Sequence, residues 1–136
     1  MRVAFGTDEV TATTEAIQVW LRENGHEVVL VANGVLWPDA GRAVGEAVMS
    51  GAADRGVVCC WTGTGVSIAA NKVPGIRAAL CTDAETARGA RRWNDANVLA
   101  IGLRLTSTVV AGELLEAFLV TDPDPEEGPT VARVPR

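Results

Sequence analysis

The chain has 136 residues, 48% hydrophobic and 21% charged, a balance that excludes disorder and lets one domain bury a core. A net charge of −5 argues against nucleic acid or an anionic membrane as the main partner. Part of that charge lies in the stretch Asp122 to Glu127, so the folded body is nearer neutral. There is no apolar run of about 18 residues, and the chain opens directly on strand-like residues, so a cytoplasmic protein with no membrane partner is expected.

In chain order, Arg2 to Gly6 is a short apolar strand that meets a Gly-Thr-Asp turn. Thr11 to Asn24 has helical spacing, with Ala12, Ala16, Val19 and Trp20 as its apolar positions and Asn24-Gly25 as its stop. Glu27 to Val31 is a β-branched second strand. Trp37-Pro38-Asp39 then opens a helix whose face carries Ala43, Val44, Ala47 and Val48, closed by Ser50-Gly51. Val57 to Cys60 is a third, continuously apolar strand, which breaks into Trp61-Thr62-Gly63-Thr64-Gly65 and a short Ala-rich helix.

A turn at Val73-Pro74-Gly75 precedes a fourth strand, Ile76 to Leu80. Asp83 to Arg92 reads as a helix with an acidic cap and the basic Arg88, Arg91 and Arg92 at its end, as the helix dipole prefers. Asn97 to Ile101 is a fifth strand, and Thr106 to Leu119 a final amphipathic helix. Residues 122 to 136 hold four of the six prolines, which argues against regular helix or a central strand there. Strands alternating with helices predict a doubly wound parallel α/β sheet: a single domain over residues 1–121, with an acidic Pro-rich tail.

The stretch after the third strand is the strongest chemical signal. Gly63 and Gly65 permit a tight turn and close approach to a ligand, and the first amides of the following helix have no intrahelical partner. Cys60 stands at the strand's carboxyl end, where open α/β sheets hold ligands. Asp8, Glu9, Asp83 and Arg104 also follow strand ends, so the sheet gathers them at one crevice. A plain strand-to-helix turn with two buried, inert cysteines remains open at this point. Three cysteines, two of them adjacent on opposite strand faces, fit reduced thiols and not a disulfide framework. One histidine, with no CxxC or HxxxH spacing, argues against a built-in zinc site.

Taken together, several stretches resemble the ribose-5-phosphate isomerase B family, which includes the galactose-6-phosphate isomerase subunits. They are Gly6-Thr7-Asp8, Asn24 to Val28, Ala53 to Gly56, Gly63-x-Gly65-x-Ser67 to Lys72, Gly75 to Leu80 and Asn94 to Leu99. The resemblance runs over about the first 105 residues. It implies a Rossmann-like three-layer α/β/α sandwich with a five-stranded parallel sheet and no metal or organic cofactor. It further implies a homodimer or homotetramer whose sites lie between subunits, with the C-terminal segment reaching over the partner. The implied activity is aldose–ketose isomerisation of a sugar phosphate through a cis-enediolate.

On this resemblance Cys60 is the candidate base, with Thr62 as a hydroxyl donor and Asp8 near the sugar. The amides around Gly63, Thr64 and Gly65 form an anion hole. Asn94 is an amide contact, Arg104 binds phosphate, and Arg133 corresponds to one of the C-terminal arginines supplied across the dimer. The chain also departs from the family pattern. Glu9 and Trp93 stand where histidines are usual, Trp61 where glycine follows the thiol, and Trp37 where tyrosine precedes Pro-Asp.

Indole has no proton to exchange near neutral pH, so Trp93 cannot open a furanose ring. His26, in a helix–strand turn, reads as a surface residue. Glu9 would repel a phosphate beside it. Trp37, Trp61 and Trp93 are expected to wall one crevice, and Trp20 to fill core. Three functions therefore remain open: a sugar-phosphate isomerase acting on a linear or modified substrate, a repurposed enzyme of specialised metabolism with an aromatic pocket, or a non-catalytic subunit of a hetero-oligomeric isomerase.

Overall fold

In the computed structural model, which describes residues 1–136, strands and helices alternate along the chain. The strands are β1 (Arg2–Thr7), β2 (Glu27–Asn33), β3 (Arg55–Cys60), β4 (Ala78–Leu80) and β5 (Val98–Gly102). The helices are α1 (Ala12–Glu23), α2 (Trp37–Met49), α3 (Thr64–Asn71), α4 (Ala84–Asn94), α5 (Thr108–Val120) and a short α6 (Gly128–Val131). Every strand pairing is parallel and the order is β2-β1-β3-β5-β4, the five-stranded doubly wound sheet expected from the alternation. The order reverses between β1 and β3. A crevice therefore opens where these two neighbours end, at Asp8 and Cys60.

The sheet is buried on both faces because helices cover both. On one face Val3, Phe5, Val57, Cys59, Leu99 and Ile101 meet Ile17 and Leu21 of α1 and Leu114, Leu115 and Phe118 of α5. On the other, smaller side chains such as Ala4, Val58, Cys60 and Ala100 meet Ala40 and Val44 of α2 and Val66 and Ala70 of α3. Strand alternation sends Cys59 and Cys60 to opposite layers. Local chemistry fixes the helix starts. Thr11 and Thr14 form a reciprocal capping box, Asp83 accepts the Thr86 N–H at 2.7 Å, and Ser107 accepts that of Val110 at 3.2 Å.

The differences from the sequence reading have local causes. β4 starts at Ala78 and not at Ile76, because the Arg77 N–H is taken by the Asn97 side chain at 2.8 Å. The free edge of β4 is occupied by an amide. Asn71 donates to the Ala78 carbonyl at 3.0 Å and accepts its N–H at 2.8 Å, as a neighbouring strand would. β2 runs on to Asn33, with a register shift after Phe5.

Arg91 is not a solvated cation at a helix end. It is 1% exposed, lies 5.8 Å from the Phe118 ring centroid, and bonds Asp95 at 2.8 Å and the Thr121 carbonyl at 3.1 Å. The tail also corrects the reading that no helix forms there. A 3-10 turn over Pro125–Glu127 leads into α6, with a proline in the first turn of each, where no intrahelical N–H is required. The tail packs back on α4, with the Asp124 N–H donating to the Arg92 carbonyl at 2.8 Å.

Candidate active site

β3 delivers Cys60 to the carboxyl end of the sheet and the chain then turns sharply. Gly63 sits at φ +78°, a left-handed conformation that a side chain would strain, and the turn lies on the end of β5 so closely that a Cβ there would come 2.8 Å from the Gly102 nitrogen. Two backbone bonds pin it: the Leu103 N–H to the Cys60 carbonyl at 2.9 Å, and the Arg104 N–H to the Trp61 carbonyl at 2.8 Å. The turn aims the Gly63 N–H at the Cys60 sulfur, 3.2 Å away. The first amides of α3 follow, unpaired by the helix itself.

Beside this turn is a cavity of about 380 Å³ lined by Asp8, Trp37, Cys60, Trp61, Thr62, Thr64 and Gly65. Cys60 is 5% exposed and borders open volume. Cys59 is 0% exposed and sealed in the opposite layer. Burial, with smaller contributions from Cys60 and Asp8, pushes its thiol far above the ordinary range. The Oδ1 atom of Asp8 is buried with no hydrogen-bond partner. Thr62 and Thr64 hold their hydroxyl oxygens 2.7 Å apart. The Trp37 ring lies on Gly65, 2.9 Å from where a Cβ would stand, so glycine is needed for that wall. The half-exposed Trp61 makes the other apolar wall.

The remaining expected residues lie elsewhere. Glu9 is exposed and does not line the cavity; its carbonyl accepts the Thr7 hydroxyl at 2.6 Å, so a carboxylate opposing a bound phosphate is not part of this wall. Arg104 is tied to the turn through its backbone, with its side chain exposed. Asp83 is a helix cap, its carboxyl held below the usual range by the Thr86 N–H.

Three tryptophans do not meet at one crevice of a single chain. Trp93 is on the last turn of α4, folded over Gly89, and with Asn94 borders two grooves of about 360 and 460 Å³ along the β4 edge. Arg133 is exposed in the tail, and the turn before α6 helps line a third cavity, of about 610 Å³, beside Arg77 and Asp95. His26 is at the opposite end of the sheet, stacked on Trp20 at 6.4 Å, with its Nδ1 3.2 Å from the Met1 amine. No group of three or more His, Cys, Asp or Glu side chains that could hold a metal comes together, and no helix is long and apolar enough to cross a membrane.

The sequence reading named Thr62 for its hydroxyl and Thr64 for its amide, and missed that the two hydroxyls meet. The signal for that meeting was Thr-Gly-Thr, since a left-handed glycine between two threonines can turn both side chains to one side.

The ribose/galactose isomerase family profile matches residues 3–135. This chain belongs to that family. It is 40% identical over 126 residues to galactose-6-phosphate isomerase subunit LacB of Clostridium acetobutylicum, covering 88% of this chain and 72% of that one. It is 39% identical over 125 residues to D-erythrulose-4-phosphate isomerase of Pectobacterium atrosepticum, covering 88% and 82%. The solved structure of Clostridium thermocellum ribose-5-phosphate isomerase B superimposes with a TM-score of 0.91 at 38% identity, over 98% of this chain and 94% of that one. The Rossmann-like architecture is the family's, and the chemistry of the family is aldose–ketose isomerisation of sugar phosphates.

Proposed function

We propose that the protein interconverts an aldose and a ketose phosphate of four carbons, with Cys60 carrying the proton between C1 and C2. The observation behind the substrate class is the position of the sole imidazole, at the far end of the sheet from Cys60. An aldopentose 5-phosphate closes into a furanose through O4, and an isomerase must move a proton to the ring oxygen to reopen it. In a tetrose 4-phosphate, O4 carries the phosphate and no such ring forms. A site without an imidazole then lacks nothing that the reaction needs. Likeness to a relative named for D-erythrulose 4-phosphate supports the same class.

The roles follow from the cavity. Thr62 and the first amides of α3 stabilise charge on the enediolate oxygen as it develops. Asp8 offers its unpartnered Oδ1 to a substrate hydroxyl. Trp37 and Trp61 pack on the carbon chain and limit its length. Arg104 holds the phosphate. A cytoplasmic homodimer completes the site, with Trp93, Asn94 and Arg133 contributed to the partner; their separation from Cys60 within one chain supports this arrangement.

The test is turnover of D-erythrose 4-phosphate and D-ribose 5-phosphate, followed by proton NMR in D2O. A kcat/KM at least about tenfold higher for the four-carbon substrate is expected. A preference for ribose 5-phosphate would overturn the substrate class.

A further inference from the structure

Isomerisation moves two protons, one between C2 and C1 and one between O2 and O1. Cys60 serves the carbons. The oxygens need another carrier, and no histidine or lysine lines the cavity, nor does the chain contain tyrosine. Beside Cys60 and Asp8, whose unpartnered Oδ1 is taken by a substrate hydroxyl, the cavity holds a pair of hydroxyls. Thr62 Oγ1 and Thr64 Oγ1 are 2.7 Å apart, and the Thr64 N–H points at Thr62 Oγ1 from 3.5 Å. Neighbours two apart in a regular helix do not face one another, and it is the left-handed Gly63 that brings these two together.

We propose that the Thr62–Thr64 pair is the proton relay between O2 and O1, which makes the Thr64 hydroxyl a working part of the reaction. The cis oxygens of an enediol are about a hydrogen-bond length apart, like the two threonine oxygens, so the four oxygens close a ring of hydrogen bonds. From aldose to ketose, the Cys60 thiolate takes the proton from C2 and that bond's electrons form C1=C2. The carbonyl π electrons pass to O1, which takes the Thr62 proton. Thr62 takes the proton of Thr64, and Thr64 takes that of O2. The O2–H electrons then form C2=O2, and the C1=C2 pair collects the thiol proton at C1. Each threonine ends with the proton count it began with, and the thiolate is restored.

The inference rests on the isomerase reading but not on the four-carbon substrate. Thr64→Val and Thr64→Ser would be compared with the unaltered protein on whichever of the two sugar phosphates it turns over. Binding of a phosphorylated hydroxamate that mimics the enediolate would be measured alongside. Thr64→Val should lower kcat about 10- to 100-fold with KM nearly unchanged, and Thr64→Ser should restore most of it. A curved proton inventory in H2O–D2O mixtures should become linear in Thr64→Val, and the hydroxamate should bind about tenfold more weakly.

The relay is overturned if Thr64→Val keeps its kcat and its curved inventory, if serine is no better than valine, or if the unaltered protein neither turns over nor binds these compounds. A preference for the five-carbon substrate with a defective Thr64→Val would sink the substrate class and leave the relay standing.

Discussion

At the amino end of the sheet, Arg2 grips Asp54 through its backbone N–H at 2.8 Å and its guanidinium at 3.1 Å. There, too, Arg77 and Arg91 share Asp95 at 3.0 and 2.8 Å. At the carboxyl end Asp8 keeps a buried oxygen without a partner, and Trp61, Leu36 and Leu105 stand exposed. The helices entered from that end, α1 to α5, all point their N-termini toward it, a field that favours an anion. The charges at the amino end are paired with one another, although Arg91 Nη2 is also buried without a partner. The carboxyl end leaves Asp8 and several large apolar side chains without partners, and the two ends are divided by the length of five parallel strands.

The sharpest way to break this division is within one strand. Cys60→Ala should lower kcat by about 1,000-fold without loss of folding, whereas Cys59→Ala should leave kcat within a few-fold and lower stability by about 1 kcal/mol. Iodoacetamide labelling of the native protein, read by mass spectrometry, should modify Cys60 and spare Cys59. Equal activity losses would mean that the thiols share a structural role.

Next in size is Arg91→Ala, which removes a buried cation from Asp95, Phe118 and two carbonyls. About 3 kcal/mol should be lost in urea unfolding, with KM unchanged. Asp8→Asn should do the reverse. It should lower kcat/KM about tenfold and leave the urea midpoint unchanged or higher, because the lost carboxylate had no partner for that oxygen.

The sheet and the turn after β3 were legible because both write themselves locally: apolar runs bounded by Gly, Asn and Ser, a polar cap such as Asp83 before a helix, and a glycine where the backbone must turn left. The role of Arg91 was not. Arg88, Arg91 and Arg92 look alike in one dimension, and only the packing of α5 under α4 places one of them against Phe118. Trp93 was legible as a groove-lining residue but not as one apart from Cys60 within a chain, because its position on the last turn of α4 beside the edge strand β4 is a matter of topology and not of local sequence. In the tail, proline was read only as a breaker, although Pro125 and Pro129 sit in first turns that prefer it.

The smallest expected effect tests the division from its quiet side. Partial burial, aided by the N-terminal ammonium and opposed by a backbone contact with Met1, holds the His26 imidazole below its ordinary value of 6.5. The folded state therefore favours the neutral ring, and the unfolded chain takes up the proton first as pH falls. Stability from this group is fully present above about pH 6.5 and is lost below it, levelling off once the folded protein also titrates. The Asp54 carboxyl, held low by the Arg2 N–H, begins to lose its contribution only below its ordinary value of 3.8, so the two steps are separable. His26→Gln should flatten the urea-midpoint curve between about pH 5 and 7 and leave the pH–rate profile untouched. If it altered turnover instead, the imidazole would belong to the reaction after all, and neither the two-ended division nor the case for a substrate without a ring would survive.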